Sequence, residues 1–124
     1  MSRKVLYVIG AIAVLTGIFI FVRPHHFYDM VPGLDLMGPF SIHFIRDVGL
    51  AYIASGAVMV WGAHHYSRPA AISGALWPFL HALFHVQIWA YRGFPFDEIF
   101  FVNLIGVILV AFVGLWAALR LRAA

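Results

Sequence analysis

The chain has 124 residues, of which 64% are apolar and only 10% charged, and its formal net charge is +3. So few charged side chains cannot cover a water-soluble surface, which excludes an ordinary soluble protein and indicates a single membrane-embedded domain. The basic residues are divided among the ends of apolar runs and form no patch, which excludes a nucleic-acid-binding protein. The absence of cysteine excludes disulfides, thiolate ligands and redox thiols.

Four apolar runs are long enough to cross about 30 Å of hydrocarbon, a distance that takes about 20 helical residues. They predict membrane spans over residues 5–22, 42–63, 69–91 and 99–119. No small-residue cleavage site follows the first run, which predicts an uncleaved helix rather than a signal peptide. The segment 23–41 contains three prolines and two glycines and predicts an irregular outer loop. The other two connections are short, so the predicted fold is all-α, an antiparallel four-helix transmembrane bundle.

Local signals predict where helices begin, which faces pack and how the chain is oriented. Ser41 and Asp97 stand where N-caps of the second and fourth spans are expected. Small residues at helical spacing predict packing faces in the first span (Gly10, Ala13, Gly17) and the last (Gly106, Val110, Gly114). Most basic residues fall on one side of the spans, which predicts cytoplasmic termini and a bacterial cytoplasmic (inner) membrane location; these residues are Arg3, Lys4, Arg68, Arg120 and Arg122.

Polar side chains lie near the outer ends of three predicted spans. At about 1.5 Å per residue, Asp47 and Asn103 lie about 6 Å, and His85 about 9 Å, below those ends. A charged group exposed to acyl chains costs at least about 2.5–3.5 kcal/mol, so Asp47 is expected to face the bundle. We therefore predict one inward-facing pocket in the outer leaflet, formed by His43, Asp47, His81, His85 and Asn103.

The remaining charges are expected at the mouth of this pocket. Arg46 points about 100° away from Asp47 around the helix. It is expected to reach the outer headgroups or to pair with Asp97 or Glu98 across the mouth.

Several functions are open for this pocket. Three imidazoles with the Asp47 carboxylate are a ligand set for a divalent zinc, iron or copper ion, and haem b is a variant that needs histidines on facing helices. A carboxylate beside His85 can also relay a proton, and an aromatic mouth suits a quinone. Alternatively, the polar groups form a hydrogen-bond network that sets helix packing. Whether the protein is an enzyme stays open, because the motifs of nucleotide-binding and serine-hydrolase enzymes are missing.

Several stretches resemble the small bacterial four-helix membrane proteins of the DoxX-like families. They are the span VLYVIGAIAVLTGIFIF, the segment PHHFYDMVPG, and HFIRDVGLAYIASGAVMVWG with ALWPFLHALFHVQIW, and together they cover most of the chain. Named members of that group are associated with membrane thiol or quinone redox systems. A thiol role does not carry over to a chain without cysteine, and no catalytic residue is carried over.

The expected function is that of a small membrane protein that binds a metal ion or a hydrophobic redox ligand such as a quinone. Its expected partners are the lipid bilayer and either further copies of itself, as a homo-oligomer, or a larger membrane complex. The alternative is a structural or assembly subunit with no chemistry of its own.

Overall fold

The computed structural model describes residues 1–122, which form helices and, within that range, no strand. The helices are α1 (Ser2–Val22), α2 (Pro24–Met30), α3 (Ile42–His64), α4 (Arg68–Tyr91) and α5 (Glu98–Leu119). A 3₁₀ turn, Asp35–Met37, lies between α2 and α3. All except α2 are long and apolar enough to cross a membrane, and they coincide with the four predicted runs.

The beginnings of three long helices follow from capping side chains. Ser41 caps α3 by accepting a hydrogen bond from the amide of Phe44, and Asp97 caps α5 by accepting one from Phe100 at 3.0 Å. Ser67 caps α4 in the same way, and a proline lies in the first turn of that helix. These contacts satisfy amide groups that a helix leaves unpaired at its start, and they confirm Ser41 and Asp97 as caps.

The four long helices form a ring of antiparallel neighbours, in the order α1, α3, α4, α5 and back to α1. The closest approach is between α1 and α3, where glycines seven residues apart face each other: Gly10 lies opposite Gly56, and Gly17 opposite Gly49. A methyl group built on Gly10 would lie 2.8 Å from the carbonyl oxygen of Gly56, so no larger residue fits. The packing face predicted for α1 is confirmed, and backbone contact of this kind is typical of helices in lipid.

The face predicted for α5 is turned toward the other helices but is closely packed at one end only. Gly106, Val110 and Gly114 all line a small cavity between the long helices. Gly114 is buried near Ile9 of α1, but Gly106 is exposed, with nothing within 4 Å of a methyl built on it. Gly106 lies in the stretch Leu104–Leu109, where the helix widens into a π-helix.

The outer faces of the bundle are apolar. Val8, Leu15 and Ile18 of α1 are among many large hydrophobic side chains exposed on the long helices. Small residues, by contrast, fill much of the interior, including Ala63, Ala75 and others of the buried core. Large apolar residues outside and small ones inside are expected where lipid, rather than water, surrounds a helical bundle.

The segment 23–41 is more ordered than predicted. Pro24–Met30 forms α2, because a proline is favourable in a first helical turn, where its missing N–H needs no partner. Phe27 of α2 packs edge-on against Phe19 of α1. The rest of the segment folds back, with the Tyr28 hydroxyl donating a hydrogen bond to the carbonyl of Gly38 at 2.7 Å. The prediction of an irregular outer loop was therefore wrong for α2.

The bundle has two distinct ends. At the loop end, α1 and α4 terminate beside segment 23–41, and α3 and α5 begin. At the basic end, α1 begins and the α3–α4 turn lies near it, since Nε of Arg3 donates to the carbonyl of Ala63 at 3.1 Å. Arg120 and Arg122, at the end of the described chain, also lie at the basic end.

Candidate functional site

A cavity of about 340 Å³ lies at the loop end between segment 23–41 and helices α3 and α4. We call it the histidine cavity, because His81 and His85 are the basic side chains that line it. Most of its wall is apolar, with one residue from the π-helical stretch of α5. The wall includes Phe27, Leu34, Met37, Phe44, Ile45, Val48, Tyr52, Phe84 and Val107.

The two histidines form a hydrogen-bonded pair. They lie one turn apart on α4, and the Nε2 atoms of His81 and His85 are 3.2 Å apart. The His81 ring stacks on Trp77 with 4.9 Å between ring centroids, and Tyr52 of α3 meets it edge-on at 6.3 Å. Aromatic rings on two helices therefore hold the His81 ring in one orientation.

This pairing dictates what the neutral histidines can offer. One Nε2 must donate and the other accept, so one ring carries its proton on Nε2 and the other on Nδ1. The pair thus presents one Nδ1–H donor and one bare Nδ1 acceptor. A proton taken up at one Nδ1 can pass between the Nε2 atoms and leave from the other Nδ1. The arrangement is suited both to hydrogen bonding and to proton transfer.

One polar atom of the pair lacks a partner. Nδ1 of His85 is buried and has no hydrogen-bond partner among the described residues. An unsatisfied buried donor or acceptor costs about 1–3 kcal/mol. Because this atom is inaccessible in the structure, a bound molecule or an ordered water could reach it only after the neighbouring side chains move.

The structure places His43 and Asp47 away from the histidine cavity. Their side chains are 87% and 56% exposed, and they pair with each other, with His43 Nε2 3.6 Å from Asp47 Oδ2. The prediction that Asp47 faces the bundle was wrong. Close packing of Gly49 against α1 determines the rotation of α3, and this turns His43 and Asp47 outward at the helix end.

Asn103 is near one histidine only. It lines a separate small cavity of about 30 Å³, together with His85 and Arg92. Of the five residues predicted to form one pocket, the structure therefore brings together His81 and His85 and places Asn103 beyond His85.

The mouth charges also pair differently from the prediction. Nε of Arg46 donates to the carbonyl of Phe21 at 3.2 Å, and its guanidinium lies 5.3 Å from the centre of that ring. Asp97 forms an ion pair with Arg92, five residues earlier, while Glu98 is exposed. Of the two alternatives for Arg46, the pairing with Asp97 or Glu98 was wrong, since Arg46 binds the backbone of Phe21 and Arg92 occupies Asp97. The alternative that Arg46 reaches the outer headgroups stays a prediction.

The Arg92–Asp97 pair shifts the pKa values of both groups in the direction expected for opposite charges. Hydrogen bonds from the Arg92 guanidinium, and then from the amide of Phe100, hold the pKa of Asp97 below its usual value. The same pair raises the pKa of Arg92. Both pKa shifts favour the charged forms, so Arg92 and Asp97 form an ion pair between α4 and α5 at neutral pH.

The residues predicted as metal or haem ligands do not lie together in the structure. Within residues 1–122, no three side chains of the His, Cys, Asp or Glu type converge on one point where a metal ion would fit. The zinc, iron or copper set predicted from His43, Asp47, His81 and His85 is divided between an exposed pair and a cavity pair. His81 and His85 share one helix face, so they do not lie on facing helices, as the haem ligand set requires.

Two contributors to the cavity were missed in the sequence. The sequence predicts Tyr52 only as part of the second apolar span, although Phe44, Val48 and Tyr52 repeat every four residues and all line the cavity. Tyr28 was assigned to an irregular loop. The four-residue repeat of hydrophobic side chains was a usable signal for the first.

No protein-family model, curated protein or solved structure matches this chain. The resemblance to the DoxX-like families stays a prediction, and function is inferred from the geometry of the cavity.

Proposed function

We propose that this protein is an integral protein of the bacterial cytoplasmic membrane, with both termini inside, that binds a hydrophobic ligand of the quinone class in the histidine cavity. The observation that carries the proposal is an apolar cavity of about 340 Å³ with a hydrogen-bonded pair of histidines in its wall. Small-molecule sites are typically apolar clefts of about 300–1,000 Å³ with a few well-placed polar groups.

The chemistry of the wall suits a flat ring with polar edges. A quinone ring packs against aromatic side chains, and the cavity offers Phe44, Tyr52 and Phe84. Its carbonyl oxygens accept hydrogen bonds, and the neutral histidine pair always retains one Nδ1–H to donate. When the ligand carries an exchangeable proton, as a quinol does, the bare Nδ1 of the pair is the acceptor.

The apolar residues around the histidine cavity support entry of a lipid-soluble ligand from the bilayer. Segment 23–41 covers one side of the cavity with Phe27, Leu34 and Met37. The hydrogen bond from Tyr28 to Gly38 closes the segment on itself, and Phe27 packs against Phe19 of α1. An apolar cover over an apolar cavity admits a lipid-soluble molecule more readily than a charged one.

A binding titration tests the proposal. Decyl-ubiquinone is added to the purified protein in detergent, and quenching of tryptophan fluorescence is followed, because Trp77 lies against His81. We expect saturable binding that weakens about tenfold in His85→Gln, the size of one lost hydrogen bond. His43→Gln is the matched control, since this histidine is exposed and should bind like the parent protein.

A second pair of variants separates loss of the cavity from loss of the fold. Val48→Phe fills the histidine cavity, whereas Val58→Phe adds the same bulk to an exposed position of the same helix. Binding should be abolished by the first and unchanged in the second, with both retaining helical circular dichroism. No saturable binding to the parent protein, or equal loss in both variants, would contradict the proposal and favour a structural subunit.

A further inference from the structure

A second cavity, of about 430 Å³, lies at the basic end, far from the histidine pair. It is formed where α1 begins, where the chain turns from α3 to α4, and where α5 ends. We call it the arginine cavity, because Arg3, Arg120 and Arg122 line it. The rest of its wall is contributed by Met1, Ser2, Tyr66, Trp116 and Leu121.

One of the three guanidinium groups is held in a fixed position. Arg3 donates from Nε to the carbonyl of Ala63 at 3.1 Å, and from its two terminal nitrogens to the hydroxyls of Tyr66 at 2.5 Å and Tyr7 at 3.3 Å. The guanidinium also lies 4.3 Å from the centre of the Tyr66 ring. A guanidinium has five N–H donors, so about two remain for a ligand. Their direction is set before any ligand arrives.

The charges around this cavity are unbalanced. All five side-chain carboxylates of the sequence belong to the loop-end half: Asp29, Asp35, Asp47, Asp97 and Glu98. The contacts between basic side chains and carboxylates found in residues 1–122 are His43–Asp47 and Arg92–Asp97, and neither involves an arginine of the cavity. Three like charges around one space repel each other, and an anion between them would relieve that repulsion.

The arginine cavity also has an apolar side. Trp116 is partly exposed beside it, and Leu121 forms part of the buried core beneath it. Tryptophan is enriched where helices meet the headgroup layer of a bilayer. Arginine binds phosphate through two parallel N–H···O contacts, which a compact ammonium group cannot match.

We propose that the arginine cavity is a binding site for a phosphate group, supplied by the headgroup of an anionic lipid. The site recognises the phosphate through Arg3, Arg120 and Arg122, while the glycerol and the start of the acyl chains rest against Trp116. This assignment is independent of the ligand in the histidine cavity, because the two sites lie at opposite ends of the bundle.

The test measures the thermal stability of the full chain in a zwitterionic detergent. Short-chain phosphatidylglycerol is titrated against phosphatidylcholine of the same chain length, and inorganic phosphate is titrated separately. Phosphatidylglycerol should raise the melting temperature in a saturable way, and phosphatidylcholine should not. A saturable rise with inorganic phosphate alone would support the site and assign free phosphate as the source.

The decisive comparison is between two double variants that each remove two positive charges from the basic end. Arg120→Gln with Arg122→Gln changes exposed cavity residues, whereas Lys4→Gln with Arg68→Gln changes exposed residues outside the cavity. Loss of a charge-assisted hydrogen bond to phosphate weakens binding by about tenfold, so the cavity pair should bind phosphatidylglycerol about a hundredfold more weakly. The control pair should lose much less.

Three results would overturn the proposal. They are an equal response to phosphatidylglycerol and phosphatidylcholine, no response to any phosphate-bearing probe, and equal weakening in the two double variants. The last would mean that charge attracts the lipid without a defined site. Because the four substituted residues make no side-chain hydrogen bond in the described structure, circular dichroism should show that both double variants fold.

Discussion

The glycines between α1 and α3 allow a sharp prediction of stability. In Gly17→Ala, the new methyl would lie 2.8 Å from the amide nitrogen of Ile53, and closer still to the carbonyl oxygen of Gly49. Ordinary contact begins at 3.4 Å, so the helices must separate by at least about 0.6 Å. Overpacking costs about 1–3 kcal/mol, and we expect the upper part of this range because the obstacles are backbone atoms, which cannot rotate away.

The intrinsic preference of the helix for alanine acts in the opposite direction. Replacing an interior glycine by alanine favours a helix by about 1 kcal/mol, so the net loss in Gly17→Ala should be about 2 kcal/mol. Gly106→Ala is the matched control, because nothing lies within 4 Å of its methyl. This control should be neutral or more stable by about 0.5–1 kcal/mol.

The measurement is reversible unfolding from mixed micelles, in which the mole fraction of sodium dodecyl sulfate is raised and helix content is followed by circular dichroism. The two variants should differ by about 2–3 kcal/mol in the free energy of unfolding. If Gly17→Ala is as stable as the parent protein, the backbone contact between α1 and α3 is not as close as described. Equal destabilisation by both substitutions would point to a general effect of alanine instead.

Two further predictions concern the loop end and the orientation of the chain. The depressed pKa of Asp97 contributes stability that is fully present above its unfolded value of about 4 and is lost as the pH falls through the folded value. Acid should therefore destabilise the parent protein below about pH 4. Asp97→Asn keeps a capping oxygen but cannot titrate, so it should lose less stability in acid. Equal acid sensitivity of the two proteins would show that the ion pair with Arg92 is unimportant. A reporter that works only in the cytoplasm should be active when fused after Arg122, and activity of an exported reporter there would invert the proposed orientation.

The sequence predicted the four long helices well, because few structures other than a helix satisfy the backbone of an apolar run of about 20 residues in lipid. The pairing of His81 with His85 was also accessible, since residues four apart share a helix face. The outward position of Asp47 could not be predicted, because the rotation of α3 about its axis depends on which of its faces contacts α1. Gly49 and Gly56 determine that contact, and their partners on α1 lie more than 30 residues away in the chain.

At the loop end, too, a feature that depends on local sequence was predicted, whereas features that depend on the folded chain were not. Asp97 was predicted as an N-cap from local sequence, and the structure confirms it. Its ion pair with Arg92 was not predicted, although only five residues separate them, because the pairing depends on how the chain turns between α4 and α5. The proposal that Arg46 reaches a carboxylate assumed a charge partner where a backbone carbonyl serves instead.

The π-helical stretch of α5 has a consequence for how a ligand would travel. Val107 lies in this stretch and lines both the histidine cavity and a narrower one of about 60 Å³ deeper in the bundle, as does Tyr52 from α3. These two side chains therefore separate the histidine cavity, where the ring of a ligand would bind, from the narrower cavity, into which its tail could extend. The bulk at position 107 should govern how fast a long-tailed molecule enters and leaves, more than how tightly its ring is held.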